Sequence, residues 1–172
     1  MPDGTYADLI APGTSATRAR LGWCYGDVAV ATAMVRASDV LGSPTLRARA
    51  VALARAAGAR SFDDAGVVDA CVCHGSAGLG LLYMRLAHAT GDAALRAQAI
   101  RYLDDALVRA GADPITGLAP HLADPSIPLG VASLGVLTGI AGAALALHAA
   151  TTAQEPSWDR VLALSGKKMA IA

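Results

Sequence analysis

The feature that most constrains this chain is an internal repeat. At an offset of 49 residues, Cys24 pairs with Cys73, Gly26 with Gly75, Gly42 with Gly91, Leu46 with Leu95 and Arg47 with Arg96. The same offset pairs Ser43 with Asp92, two residue types that accept hydrogen bonds from the unpaired amides of a first helical turn. A fainter third copy, Gly139-Ile-Ala-Gly142, matches Gly75-Ser-Ala-Gly78 at an offset of 64. The added length falls between Asp113 and Pro128, where Pro114, Pro120, Pro125 and Pro128 read as an inserted loop. Units that recur in this way cannot bury their apolar faces alone and must stack on one another.

Each unit reads as a helical hairpin. In the second copy Leu79, Leu82, Tyr83 and Leu86 follow the spacing of one helical face. Thr90-Gly91 interrupts the pattern and Asp92 caps the next helix, whose stripe is Leu95, Ile100, Leu103 and Leu107, with Gly111 closing it. In the first copy Pro44 follows Ser43 at the first helical position, where its missing N–H costs nothing. The third copy repeats the first stripe as Ile140, Ala143, Ala144 and Leu147, and its second helix is expected from Ser157 through Trp158, Val161 and Leu164. No strand pattern competes. The expectation is an all-α array of about three hairpins, over 26–58, 75–111 and 137–165. A loop segment, 1–20, precedes them and a tail, 166–172, follows.

Composition narrows the function classes. Fourteen Lys and Arg balance fourteen Asp and Glu, which leaves no electrostatic footprint for nucleic acid or an anionic membrane. Hydrophobic residues make up 54%, too many for a disordered chain. Three cysteines, Cys24, Cys71 and Cys73, are a poor disulfide framework and point to a reducing, cytoplasmic setting. The first residues lack the basic run and apolar stretch of a signal peptide. Leu129 to Leu147 carries no charge and is long enough to span a bilayer, but the repeat accounts for its glycines as a loop end and a buried first helix. The abundance of Ala and Arg suggests a GC-rich bacterial source.

Two stretches carry the chemistry: Arg20-Leu-Gly-Trp-Cys24-Tyr-Gly-Asp27 and Cys71-Val-Cys73-His74-Gly75-Ser-Ala-Gly78. Cys24 and Cys73 precede the first helix of adjacent repeats, so a curved array sets them side by side on one rim and gathers Cys24, Cys73 and His74. Two thiolates and an imidazole suit Zn²⁺, and three protein ligands leave a fourth, exchangeable position. Two other readings stand beside this one. Cys71 as fourth ligand would make a closed structural site, and buried cysteines often serve packing alone.

These stretches, Gly22-Trp-Cys24-Tyr-Gly-Asp27 and Cys73-His74-Gly75-Ser-Ala-Gly78, resemble the lanthionine synthetase C-like (LanC-like) cyclases. Thr138-Gly-Ile-Ala-Gly142 and Pro156-Ser-Trp158-Asp159 are similar to the end of that family's domain. The resemblance runs from about Arg18 to about Leu164. It implies an α/α toroid with zinc at its centre, held here by Cys24, Cys73 and His74. It also implies lanthipeptide biosynthesis: a cysteine thiolate of a precursor peptide adds to dehydroalanine or dehydrobutyrine and closes a thioether ring. Arg20 matches a family arginine and is expected either to supply positive charge for the enolate or to form a surface salt bridge, and Tyr25 either to donate a hydrogen bond near the metal or to pack as a core ring. Asp27 is read as a helix-opening carboxylate accepting backbone N–H groups, Trp23 as packing beside the site and Tyr83 as core.

The chain also departs from the family pattern. About three hairpins stand where the family has roughly seven. The family's proposed acid, a histidine, lies upstream of the first zinc cysteine, and no histidine occurs before Cys24 here. His121 in the Pro-rich loop is the remaining candidate donor, with His88 and His148 placed late in first helices. Val28-Ala29 replaces the family's usual Pro-Gly after the motif aspartate. The expectation is therefore the zinc-carrying, C-terminal part of a cyclase, as a fragment or a degenerate copy. Its expected partners are a dehydrated precursor peptide or a small thiol or dehydroamino acid substrate, together with a lanthipeptide dehydratase, the missing N-terminal half or a second copy of itself. The competing function is a catalytically incomplete zinc module that binds a peptide or partner.

Overall fold

A computed structural model of the chain describes Met1, residues 4–112, Leu118 and residues 134–164. The Pro-rich loop apart from Leu118, His121 with it, residues 129–133 and the tail from 165 lie outside the described residues. Among those described, every regular element is a helix, and an isolated antiparallel bridge joins Ala7 to Arg18.

Hairpin one is α1 (Asp27–Leu41) and α2 (Pro44–Gly58), followed by a short α3 (Phe62–Ala65). Hairpin two is α4 (Ser76–Thr90) and α5 (Ala93–Ala110). The third copy supplies α6 (Ile140–Thr151) and a 3₁₀ helix, Ser157–Leu162. The first helices stand in a row, α1 against α4 and α4 against α6, while α2 packs on α5 behind them. This is the helix pairing of part of an α/α toroid.

The hairpin turns form where their sequence signals fall. Gly42 and Gly91 end α1 and α4 in the left-handed conformation that a side chain disfavours. Ser43 accepts from the Leu46 amide, and Asp92 from the amides of Ala94 and Leu95. Helix α4 is the centre of the molecule, buried without interruption from Ser76 to Ala87. The Tyr83 and Tyr102 rings stack at 5.6 Å, Phe62 meets Tyr102 edge-on at 5.3 Å, and the Tyr83 hydroxyl donates to the Ala54 carbonyl at 3.0 Å. One aromatic cluster thus ties α2, α3, α4 and α5 together.

Three expectations need correction. On α5, Leu95 and Leu103 are buried, but Ile100 and Leu107 are half exposed; Ala99, Tyr102, Ala106 and Ala110 complete the true face. Gly80 of α4 sits against Leu103 of this face. On α6, Ala144 faces solvent. The second helix of the third copy is the 3₁₀ turn just named, in which Val161 is 81% exposed and Leu162 is buried instead. Among the described residues, no helix is long and apolar enough to cross a membrane.

The segment after α6 folds back over the first two hairpins. Arg85, the lone charge in the apolar run of α4, reaches Asp159 and Glu155, each at 2.7 Å, and donates to the Pro156 carbonyl. Arg36 of α1 donates to the Leu164 carbonyl at 3.0 Å.

Candidate metal centre

Each repeat sends a loop into the start of its first helix, and these loops lie edge to edge. The Trp23 amide donates to the Cys73 carbonyl at 2.7 Å, and the Cys73 amide donates to the Leu137 carbonyl at 2.8 Å. Glycines make the approach possible. A methyl group on Gly22 would lie 2.9 Å from the Cys73 carbonyl oxygen and 3.2 Å from the His74 Cα. A methyl on Gly78 would overlap the Val72 carbonyl, and one on Gly142 would overlap the Val136 carbonyl, the same contact one repeat later.

This packing brings Cys24 and Cys73 together across 49 residues of sequence, with their sulfurs 3.3 Å apart. Both are free thiols, Cys24 exposed and Cys73 partly buried. Two sulfurs at about 2.3 Å from a tetrahedral zinc stand about 3.8 Å apart, so the pair needs to open by only about half an ångström to fit one ion. Burial, reinforced by the Cys24 thiol, pushes the Cys73 thiol up to about 12, against the pull of the Arg20 guanidinium. Ion binding at Cys73 therefore displaces a proton.

His74 follows Cys73 directly, but its imidazole turns toward Asp69: Nε2 lies 3.5 Å from the Asp69 Oδ2. Donor atoms of Asp69, Cys71 and His74 all lie within 4.8 Å of one another, a cluster capable of holding a metal ion. Among the described residues this is the one trio that meets that limit; His74 does not meet it jointly with the two close sulfurs. Cys71 is fully buried, and burial together with the Asp69 carboxylate pushes its thiol up to about 12. The structure thus brings together Cys24 with Cys73, and His74 with Asp69 and Cys71, in two groups joined by the loop 69–76.

Arg20 and Tyr25 border the sulfur pair. The Arg20 guanidinium carbon lies 5.3 Å from the centre of the exposed Tyr25 ring, and Arg20 packs over Gly66, whose φ of +70° turns the chain there. The Arg20 Nε is buried without a hydrogen-bond partner, and its charge acts on Cys73. Trp23 packs against the core and donates from Nε1 to the Leu162 carbonyl at 2.9 Å, which ties the loop to the 3₁₀ helix. Asp27 does open α1, but its Oδ1 accepts the Tyr6 amide of the N-terminal segment at 2.8 Å rather than an amide of its own helix. Arg60 faces its Oδ2 at 3.8 Å. His88 and His148 stand in the last turns of α4 and α6. A helix of α4's length spans about 20 Å, so His88 is far from the cysteine loops.

Sequence reasoning missed Asp69 and Arg60, which sit in loops without a motif, and the Arg85–Asp159 pair. Only Arg85 left a signal, as a single cation within Leu79–Ala87. No curated protein gives a match to this chain. The family described as lanthionine synthetase C-like protein matches residues 2–163, nearly the whole chain, and the protein belongs to that LanC-like family.

Proposed function

We propose that the chain carries the zinc centre of a lanthionine cyclase, with Cys24, Cys73 and His74 as ligands, acting on dehydrated precursor peptides in the cytoplasm. The observation that carries this reading is the convergence of two free thiols from adjacent repeats, one of them solvent-exposed, directly before a histidine. When bound, zinc stabilises the thiolate of a substrate cysteine at its exchangeable position. The side chains around it account for the rest of the addition. As the substrate sulfur bonds to the β-carbon of dehydroalanine, the double-bond electrons move onto the carbonyl as an enolate. Arg20, with its unpartnered Nε, meets that charge. The Tyr25 hydroxyl donates a hydrogen bond beside it, and the α-carbon then takes a proton from solvent, which balances the one the substrate thiol released.

One observation favours a second reading, a zinc module that binds peptide without turnover. His88 and His148 both lie at the helix ends opposite the cysteine loops, so neither serves as the proton donor. A second copy of the chain, or a partner protein that supplies the donor, would then complete the site. Incubation with a dehydrated precursor peptide, followed by thiol alkylation and mass spectrometry, tests the first reading. Loss of alkylatable thiols without change of peptide mass supports cyclisation. Full alkylation, with zinc bound, refutes turnover by this chain alone.

A further inference from the structure

We propose that Cys24 and Cys73 are a modification site, a dithiol that hydrogen peroxide converts to an intrachain disulfide and a small thiol reductant restores. This goes beyond the zinc reading and stands whether or not the pair is a ligand set. The two residues lie 49 apart in sequence, yet their sulfurs are 3.3 Å apart, and the Cys73 thiol donates to the Cys24 sulfur. A disulfide needs about 2.05 Å, so the sulfurs have to close by about 1.3 Å. The backbones already lie alongside, because the Trp23 amide donates to the Cys73 carbonyl at 2.7 Å and Gly22 carries no side chain to hold that carbonyl off. Bond formation therefore asks for movement of two short side chains between loops that are already joined.

Access separates the three thiols. Cys24 is exposed, Cys73 is partly buried and Cys71 is fully buried, so an oxidant in solution meets Cys24 first. The Cys24 sulfur gives an electron pair to one peroxide oxygen and the O–O bond breaks. Cys24 becomes a sulfenic acid, and the other oxygen leaves as water with the thiol proton. The Cys73 sulfur then attacks the Cys24 sulfur. The S–O bond breaks, and the departing hydroxide leaves as water with the Cys73 proton. Two thiols lose two electrons, one peroxide gains them, and two waters form. The second step is intramolecular between sulfurs already held together, so it outruns further oxidation of Cys24. In a reducing compartment a bond of this kind is transient and serves sensing rather than architecture.

The test uses the full chain, stripped with a chelator, and hydrogen peroxide alone. After oxidation the chain is denatured, its remaining thiols are alkylated, and the products are read by mass spectrometry. The expected result is a loss of about 2 Da, a cross-link between Cys24 and Cys73, and alkylation confined to Cys71, all reversed by dithiothreitol. Cys71→Ser should keep the cross-link, and Cys73→Ser should leave Cys24 as a sulfenic acid that dimedone traps. Full alkylation of all three thiols after peroxide, a bond from either residue to Cys71, or a bond between chains overturns the proposal; the parent chain decides it even if a variant does not fold. Repeating the oxidation on the zinc-loaded chain keeps this proposal distinct from the zinc reading. Protection of both thiols by zinc supports the ligand set, whereas cross-linking at an unchanged rate overturns that set and leaves the disulfide standing.

Discussion

Replacing Asp159 with alanine removes the buried partner of Arg85 and leaves a guanidinium with 7% side-chain exposure facing a void. The native pair is short, 2.7 Å, and Asp159 is fully buried. Breaking a buried pair by deleting one member costs about 3–5 kcal/mol, because the remaining charge cannot regain its hydration. Arg85 keeps Glu155, which is one-third exposed, and the Pro156 carbonyl, so the lower end applies, about 3 kcal/mol. For a domain of this size each kcal/mol moves Tm by about 2–4 °C, giving a fall of about 6–12 °C. Thermal unfolding followed by circular dichroism at 222 nm reads this directly. The double replacement Arg85→Met with Asp159→Leu should recover much of the loss, since apolar groups of similar size often replace a buried ion pair without penalty. A fall in Tm below about 3 °C for Asp159→Ala would refute the reasoning, because the segment after α6 would then not be latched by this pair.

Two further predictions test the fold. Gly78→Ala places a methyl group against the Val72 carbonyl, next to Cys73, and should cost about 1–3 kcal/mol in urea unfolding; an unchanged midpoint would show that the loop and α4 do not meet closely. Asp92 gives a pH dependence. Burial alone would raise its carboxyl, but hydrogen bonds from Arg55 and the amides of Leu95 and Ala94 outweigh burial and hold it below the ordinary 3.8. Its folded pKa is therefore depressed, so its stabilisation is present above pH 3.8 and disappears as pH falls through the folded value. Asp92→Ala should lower stability at neutral pH by about 1 kcal/mol and flatten the acid limb below pH 4, and a limb as steep as the parent's would contradict the assignment.

What was legible in the sequence follows the range of the interactions involved. Ser43 and Asp92 act on amides two or three residues away, so cap and helix start are written next to each other. The repeat was legible because close approach demands glycine at the same place each time: Gly78 on the Val72 carbonyl, Gly142 on that of Val136. The face of α5 was misread because alanines at 99, 106 and 110 carry little hydropathic contrast while exposed Ile100 and Leu107 carry much. The 3₁₀ turn at Ser157–Leu162 escaped because its shape is set by Arg85 and Trp23, which lie far earlier in the chain. At the site, the meeting of Cys24 and Cys73 followed from repeat position alone. The turn of His74 toward Asp69 did not, since nothing in a loop of mixed residues marks which carboxylate an imidazole will face.

The account depends most directly on which atoms surround a bound zinc. Zinc-edge X-ray absorption of the metal-loaded chain measures this. Two sulfurs at about 2.3 Å and one nitrogen at about 2.0–2.1 Å, with a light, exchangeable fourth neighbour, are the result predicted for Cys24, Cys73 and His74. A single sulfur accompanied by a carboxylate oxygen, or a protein that holds no zinc at all, would contradict it.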